Sequence, residues 1–229
     1  MGILYFSVQL FTPELFINIH THQANQEGSL CIQNLHERFG SQSLPTYCSM
    51  GLHPWHIEAN SFSQLLEELK LYSRKENVLA IGECGLDRLC STDFKLQENV
   101  FRQQIAWANE IAKPLIIHCV RAHREAITIL KEMNNIMPVV FHGFNNNETI
   151  AHLLLNEGYY LSFGKSLFNP SLQALFCSIP NAYIFLENDD SEIPIENIYR
   201  QASKLKNISA DTLSLQLQKN TTKVFNIKF

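Results

Sequence analysis

The chain has 229 residues, 45% of them hydrophobic and 17% charged, with a formal net charge of -4. That is enough apolar material for a sizeable core and too little charge for a disordered polymer. The acidic balance excludes a long basic tract gripping duplex nucleic acid through many phosphates, and leaves room only for a short local contact with a strand end.

One α/β barrel domain, residues 1–229, suits this length, because such barrels occupy roughly 200 to 250 residues. The opening segment Met1 to Leu10 is apolar but short, and it lacks the basic start and small-residue cleavage site of a secretory signal. No stretch is long enough to span a membrane. The six cysteines form no CxxC pair, so reduced thiols and a cytoplasmic protein are expected, with no obligate protein partner evident.

Runs rich in β-branched and aromatic residues recur along the chain: Phe16 to His22, Ser29 to His36, Thr46 to His53, Val78 to Asp87, Pro114 to Val120, Pro138 to Phe144, Tyr159 to Lys165 and Tyr183 to Asp189. Several are apolar without strict alternation, as in Val78-Leu79-Ala80-Ile81 and Pro138-Val139-Val140-Phe141, the pattern of parallel strands covered on both faces. Helices are expected over Ser61 to Arg74, where Phe62, Leu65, Leu66 and Leu69 fall at helical spacing, and over Phe94 to Ala112, Ala122 to Asn134 and Asn147 to Glu157. Between the second and third runs, Glu37 to Pro45 is too short for a full helix. Strand-then-helix repetition implies parallel pairing through crossovers, and eight units predict closure into a TIM-like (β/α)8 barrel rather than an open sheet.

Imidazoles and carboxylates gather at the downstream ends of these runs. His20 and His22 close the first, His53 the third, Glu83 lies late in the fourth, His118 ends the fifth, His142 the sixth and Asp189 the eighth. In an α/β barrel all strand C-terminal ends open into one mouth, so these residues should converge. His20 and His22 face one side of their strand, because residues i and i+2 do. Glu83 follows Val-Leu-Ala-Ile-Gly on a buried strand, where a carboxylate must be paired or metal-bound. Mixed imidazole and carboxylate donors suit Zn, Mn or a similar divalent ion, and Glu83 is the candidate bridge between two ions. A lone strand-end histidine is more often structural, and the joint placement carries the inference. His36, His56, His123 and His152 fall in loops or helices and are set aside.

Along nearly its whole length the chain resembles the TatD-type deoxyribonuclease and hydrolase family, within the amidohydrolase-like barrels. Asn18-Ile19-His20-Thr21-His22 is similar to the D-x-H-x-H opening, Gly51-Leu52-His53-Pro54-Trp55 to G-x-H-P-H, and Ala80 to Asp87 to A-I-G-E-x-G-L-D. Further on, Pro114 to His118 resembles P-V-I-I-H, His142-Gly143-Phe144 resembles H-x-F, Leu186 to Asp189 resembles L-E-T-D, and Asn220 to Phe225 resembles N-x-x-R-L-F.

The resemblance implies hydrolysis of phosphodiester bonds, trimming DNA or RNA from an end, with a divalent-metal centre of two ions (Zn, Mn or Mg). By position, His20, His22 and Asp189 would hold one ion, His118 and His142 a second, and Glu83 would bridge them. Asp189 would also orient or deprotonate the attacking water, and His53 would contact substrate phosphate or developing charge. Asn18 departs from the pattern's Asp, so a carboxylate tuning the imidazoles is lost or replaced by an amide. Trp55 stands where the pattern has His, either offering a stacking face to a base or capping the rim. Arg121 falls three residues after His118 rather than two, still within reach of a phosphate. The stretch after Asp189 lacks the motif's usual tail.

Two other readings stay open on sequence alone. One keeps the barrel and metals but changes the substrate to a small-molecule amide, lactone or phosphoester. No lysine matches the carbamylated bridge of some such barrels, since the strand-borne Lys165 looks unsuited. The other is a degenerate member that binds without turnover.

Overall fold

A computed structural model describes residues 15–23, 28–35, 39 and 44–229. The expectations for Met1 to Leu10, for His36 and for most of Glu37 to Pro45 lie outside these residues.

Among the described residues, eight strands pair in sequence order: β1 (Phe16–Thr21), β2 (Ser29–Leu35), β3 (Cys48–Met50), β4 (Val78–Asp87), β5 (Leu115–Val120), β6 (Val139–Phe141), β7 (Tyr160–Phe163) and β8 (Ile184–Leu186). Every neighbouring pair is parallel. The helices α1 (Phe62–Tyr72), α2 (Phe94–Glu110), α3 (His123–Glu132), α4 (Glu148–Asn156), α5 (Pro170–Ser178), α6 (Ile195–Lys206) and α7 (Ala210–Phe225) surround the strands. The fold is the expected TIM-like barrel, nearly closed.

Local sequence explains where the helices begin. Asp93, Asn147 and Ser209 each accept a backbone N–H of the first turn, at Leu96, Ile150 and Thr212, the standard way of satisfying donors that no preceding turn can reach. Asn207 and Asn226 end α6 and α7 in the left-handed conformation that asparagine tolerates.

The β1–β8 seam closes differently from the other pairs. Asp189, just beyond β8, sits in the left-handed region at φ 53°. From there its amide donates to the His20 carbonyl at 3.1 Å, and its carbonyl accepts from the His22 amide at 3.2 Å. Lower in the seam the buried Tyr199 hydroxyl accepts from the Ile17 amide at 2.9 Å and donates to the Ile17 carbonyl at 3.2 Å, standing in for a missing strand partner. Tyr199→Phe strands both backbone groups in an apolar surround, so equilibrium urea unfolding should show a loss of about 1–3 kcal/mol. A loss under about 0.5 kcal/mol, within the range of a neutral surface change, would show that the seam does not depend on this hydroxyl.

Most core side chains fill the layer between strands and helices. A second cluster includes Ile32, Ala80, Ile116, Val140 and Phe185, with Val224, Phe225 and Ile227 from the C-terminal segment. Ile32, Ile116, Val140 and Phe185 lie two residues upstream of Asn34, His118, His142 and Glu187, and therefore on the same strand faces. They form an apolar floor beneath the polar mouth.

Candidate functional site

Strand pairing stops short of the polar residues. β3 ends at Met50, β6 at Phe141 and β8 at Leu186, so His53, His142 and Asp189 stand on the loops just past them, while His20, Glu83 and His118 are carried within their strands. All but the fully buried His20 line a cavity of about 370 Å³, together with His22, Trp55 and His56.

Glu83 is the hub. Its Oε1 lies 2.9 Å from His53 Nε2, 3.0 Å from His118 Nδ1 and 2.8 Å from His142 Nε2. Its Oε2 faces the opposite group: His20 Nε2 at 3.3 Å, His22 Nε2 at 3.8 Å, and the Asn34 amide, which donates to it at 3.1 Å. Asp189 Oδ1 closes the second group, 3.5 Å from His20 and 3.4 Å from His22. One carboxylate is thus divided between two sets of donors. Asn34 Oδ1 also accepts the Glu83 amide at 3.0 Å, fixing the hub from both ends.

Glycines on either side let β4 approach β5 this closely. A Cβ on Gly82 would run into the Ile116 carbonyl and one on Gly85 into that of His118, and both residues have positive φ.

The imidazoles are oriented from behind. Asp87 Oδ2 lies 3.0 Å from His118 Nε2 and accepts the Trp55 indole N–H at 2.6 Å, while Oδ1 accepts the Leu89 amide. A carboxylate behind the ring favours a proton on Nε2, which would leave Nδ1 as the nitrogen available to a cation beside Glu83. Glu187 does similar work for the sixth strand: Oε1 accepts the Gly143 amide at 2.6 Å and lies 3.4 Å from His142 Nδ1. His53 Nδ1 accepts the Trp55 amide at 3.1 Å, so Nε2 carries its proton. Two buried glutamines, two turns apart on one face of α2, brace the loops. Gln97 bonds both the amide and carbonyl of Asp87, and Gln104 those of Leu52, the residue before His53.

Charge follows from this crowding. Burial acts to depress His20, but hydrogen bonds to Asp189 and Glu83 and the Glu83 charge outweigh it, raising it to about 9. Burial likewise opposes the charge on His142, and the Glu83 and Glu187 carboxylates overcome it, leaving it well above the ordinary imidazole range. Burial would raise the Glu83 carboxyl, yet the surrounding imidazoles hold it well below the usual carboxylate range. Asp189 is lowered against its own burial by hydrogen bonds from His20 and His22. His53 is lowered, chiefly by burial, and serves as a neutral N–H donor.

The donor set fits a divalent cation. Among the described residues, Nδ1 of the fully buried His20 has no hydrogen-bond partner, its Nε2 has only the loose contacts with Glu83 and Asp189 at 3.3 and 3.5 Å, and His142 Nδ1 has only Glu187 at 3.4 Å, an expensive condition for buried polar atoms that a cation would relieve. Compact groups of possible ligand atoms form at His20–His22–Asp189, His20–Glu83–His142, His53–Glu83–His118 and His142–Glu187–Asp189.

Most residues singled out from the sequence meet here, and some details differ. His118 and His142 share Glu83 Oε1 rather than forming a compact group of their own, and His53 stands as close to that oxygen as either. Trp55 is 57% exposed, its indole nitrogen anchored to Asp87, with one ring edge against His53 and His118. Arg121 is exposed and lies outside the cavity lining, next to Val120, which is part of it. Lys165 is not on the seventh strand: β7 ends at Phe163, and Lys165 opens a 3-10 turn where it pairs with Asp190 at 2.8 Å.

His56, set aside as a loop residue, lines the cavity because the 3-10 turn Pro54–His56 carries it onto the rim. Asn34 carried no sequence signal, whereas Asp87 and Glu187 stand inside the A-I-G-E-x-G-L-D and L-E-T-D matches but were not singled out as site residues. The departure at Asn18 has a partner. Its amide donates to Asn188 Oδ1 at 2.8 Å and its oxygen accepts the Asn188 amide at 3.2 Å, and Asn188 itself replaces the Thr of the L-E-T-D pattern. The two replacements meet across the seam, so Asn18 ties β1 to the loop after β8 rather than bonding the imidazoles.

The family profile described as TatD related DNase matches residues 14–226. A metal-dependent hydrolase of Buchnera aphidicola subsp. Baizongia pistaciae is 36% identical over 197 residues, covering 78% of this chain and 74% of its own. A protein of Erwinia tasmaniensis named 3'-5' ssDNA/RNA exonuclease TatD is 26% identical over 208 residues, covering 80% of each. The crystal structure of YjjV, a TatD homologue from Escherichia coli, superposes with a TM-score of 0.80 at 22% identity, over 93% of this chain and 98% of that one.

Proposed function

The chain belongs to the TatD related DNase family, and from that premise we propose that it is a divalent-metal-dependent phosphodiesterase that trims single-stranded nucleic acid from an end. The observation that carries this reading is the division of the Glu83 carboxylate between two imidazole groups in one cavity.

In this reading His20, His22 and Asp189 would hold one ion and His118 and His142 a second, with Glu83 as the carboxylate available to both. When bound, such ions polarise a phosphoryl oxygen and make water a competent nucleophile at neutral pH. The chain's own groups supply the rest. Asp189 is half-buried, kept ionised, and open to the cavity on one side, so it orients the attacking water and accepts its proton. His53, whose neutral Nε2–H now faces Glu83 at 2.9 Å, would turn that donor to a phosphate oxygen once the ions engage Glu83. Trp55 offers its exposed indole to a terminal base while Asp87 fixes the ring's angle.

A 370 Å³ mouth has room for about one nucleotide, which suits attack at a strand end better than in the middle of a duplex. The decisive assay uses a labelled single-stranded oligonucleotide beside a chromogenic phosphodiester, with Mn, Mg or Zn added and a chelator control. Turnover of both that chelator removes and metal restores is the expected result. Hydrolysis of amides or lactones with neither phosphodiester cleaved would refute the reading.

Loading is also coupled to protons. The carboxylates around His20 and His142 favour their protonated forms in the absence of metal, and a proton on a coordinating nitrogen must leave before that nitrogen can bind a cation. Raised pKa values therefore mean that affinity weakens as pH falls, by about tenfold per unit for each proton displaced. Titration calorimetry from pH 6 to 8, in buffers of different ionisation enthalpy, should register proton release on binding. A pH-independent affinity with no proton released would contradict these assignments.

A further inference from the structure

Beyond the mouth, a groove of about 460 Å³ lies between Phe168 and Ile193 on one side and Asn197, Arg200, Gln201 and Lys204 of α6 on the other. Its location follows from connectivity. Phe168 ends the 3-10 turn that Lys165 begins, and Ile193 lies three residues past Asp190, which lines the catalytic cavity. The Lys165–Asp190 ion pair ties together the two loops, after β7 and β8, that also carry Phe168 and Ile193 to the groove.

The groove is built rather than incidental. Gln201 donates to the Leu167 carbonyl at 3.2 Å, tying α6 to the turn that presents Phe168. Arg200 and Lys204 are one helical turn apart and both exposed, and Phe168 is 44% exposed. No carboxylate lines it among the described residues. An aromatic face beside two cations is therefore carried by a post-β7 loop tied to the post-β8 loop that borders the mouth, in a chain whose net charge is -4.

We infer that this groove receives the single strand leaving the mouth, with a base on Phe168 and backbone phosphates on Arg200 and Lys204, and so sets a preference for oligonucleotides over dinucleotides. Charge complementarity picks the occupant. A phosphodiester strand brings one negative charge per nucleotide to the cations, and every base has a π-face for the phenyl ring, which makes the contact sequence-tolerant. The inference rests on the phosphodiesterase reading of the mouth and deepens it by assigning the length of strand engaged.

The test uses fluorescein-labelled oligothymidylates of eight and two nucleotides, bound to the full chain in chelator and followed by anisotropy, with hydrolysis of a chromogenic phosphodiester measured separately with metal. The octamer should bind at least ten times more tightly than the dinucleotide. R200E/K204E, with both changes on exposed positions, should lose that advantage, and F168A should lose part of it. Chromogenic turnover, which involves only the mouth, should stay within twofold. Equal affinity for the two lengths, or an octamer advantage that survives R200E/K204E, overturns the groove even where hydrolysis proceeds. A groove-dependent octamer advantage in a protein that cleaves no phosphodiester would instead uphold the groove and overturn the reading of the mouth.

Discussion

Glu83→Gln should reduce bound metal below the wild-type stoichiometry and lower kcat/KM by well over about 100-fold, the upper range for losing merely a supporting partner behind a ligand. An amide keeps one oxygen but replaces the other by an N–H donor, which cannot serve a cation. In the wild type both oxygens are committed, Oε1 to His53, His118 and His142 and Oε2 to His20, His22 and Asn34. Whichever way the Gln amide turns, neither imidazole group keeps an anionic partner and one of them meets an N–H in place of an oxygen. The fold should survive, since the Asn34 bond to the Glu83 amide is unaffected and a neutral isostere removes a buried charge. Elemental analysis beside circular dichroism separates the outcomes: native metal content in a folded variant would mean that Glu83 does not join two sites.

Asp189→Ala should abolish turnover, by about 10³-fold or more, because it removes a ligand and the proton acceptor together. Its carboxylate lies 3.4 Å from His22, nearer than Glu83 at 3.8 Å, and 3.5 Å from His20, just beyond Glu83 at 3.3 Å, and it faces the cavity. The backbone role of this residue survives the change, since the seam bonds use its amide and carbonyl. Left-handed φ costs alanine somewhat more than aspartate, roughly 1 kcal/mol, so thermal unfolding should shift modestly. Asp189→Asn keeps the conformational preference and a coordinating oxygen but cannot accept the proton. It should retain more metal than Asp189→Ala and remain inactive. Full activity in either variant would remove Asp189 from the chemistry.

The barrel was legible because its strands are strongly apolar and its helices early in the chain carry clean periodicity. β4 matches its expected bounds, Val78 to Asp87, since no competing turn signal interrupts it. Other runs were read too long: Thr46 to His53 contracts to Cys48–Met50 because Gly51 and Pro54 lead the chain out of the ladder, and that early exit is what lifts His53 into the mouth. The last three helices escaped sequence reading for identifiable reasons. In α7, Leu213, Leu215 and Leu217 alternate with polar residues as a strand would, yet only Leu213 and Leu217 are buried and Leu215 is 57% exposed. α5 is short and opens on Pro170 after an Asn cap, and α6 mixes its apolar Ile195, Ile198 and Tyr199 with charged neighbours.

The polar mouth divides similarly. Residues with metal-binding chemistry at strand ends could be singled out one by one, whereas their supports could not. Asp87 closes a strand that already offered Glu83, and Gln97 and Gln104 sit on a helix whose polar positions normally face water. Their functions exist only through partners ten to fifty positions away, such as Gln104 on the backbone of Leu52. Asn18 illustrates the same limit, as its replacement makes sense only beside Asn188.

The account rests on Glu83 standing between two cation positions, and a manganese-soaked crystal with anomalous diffraction tests it most directly. Two peaks flanking the Glu83 carboxylate are expected, one against His20, His22 and Asp189 and the other against His118 and His142. Density at neither position, or a single ion bound away from Glu83, would contradict it.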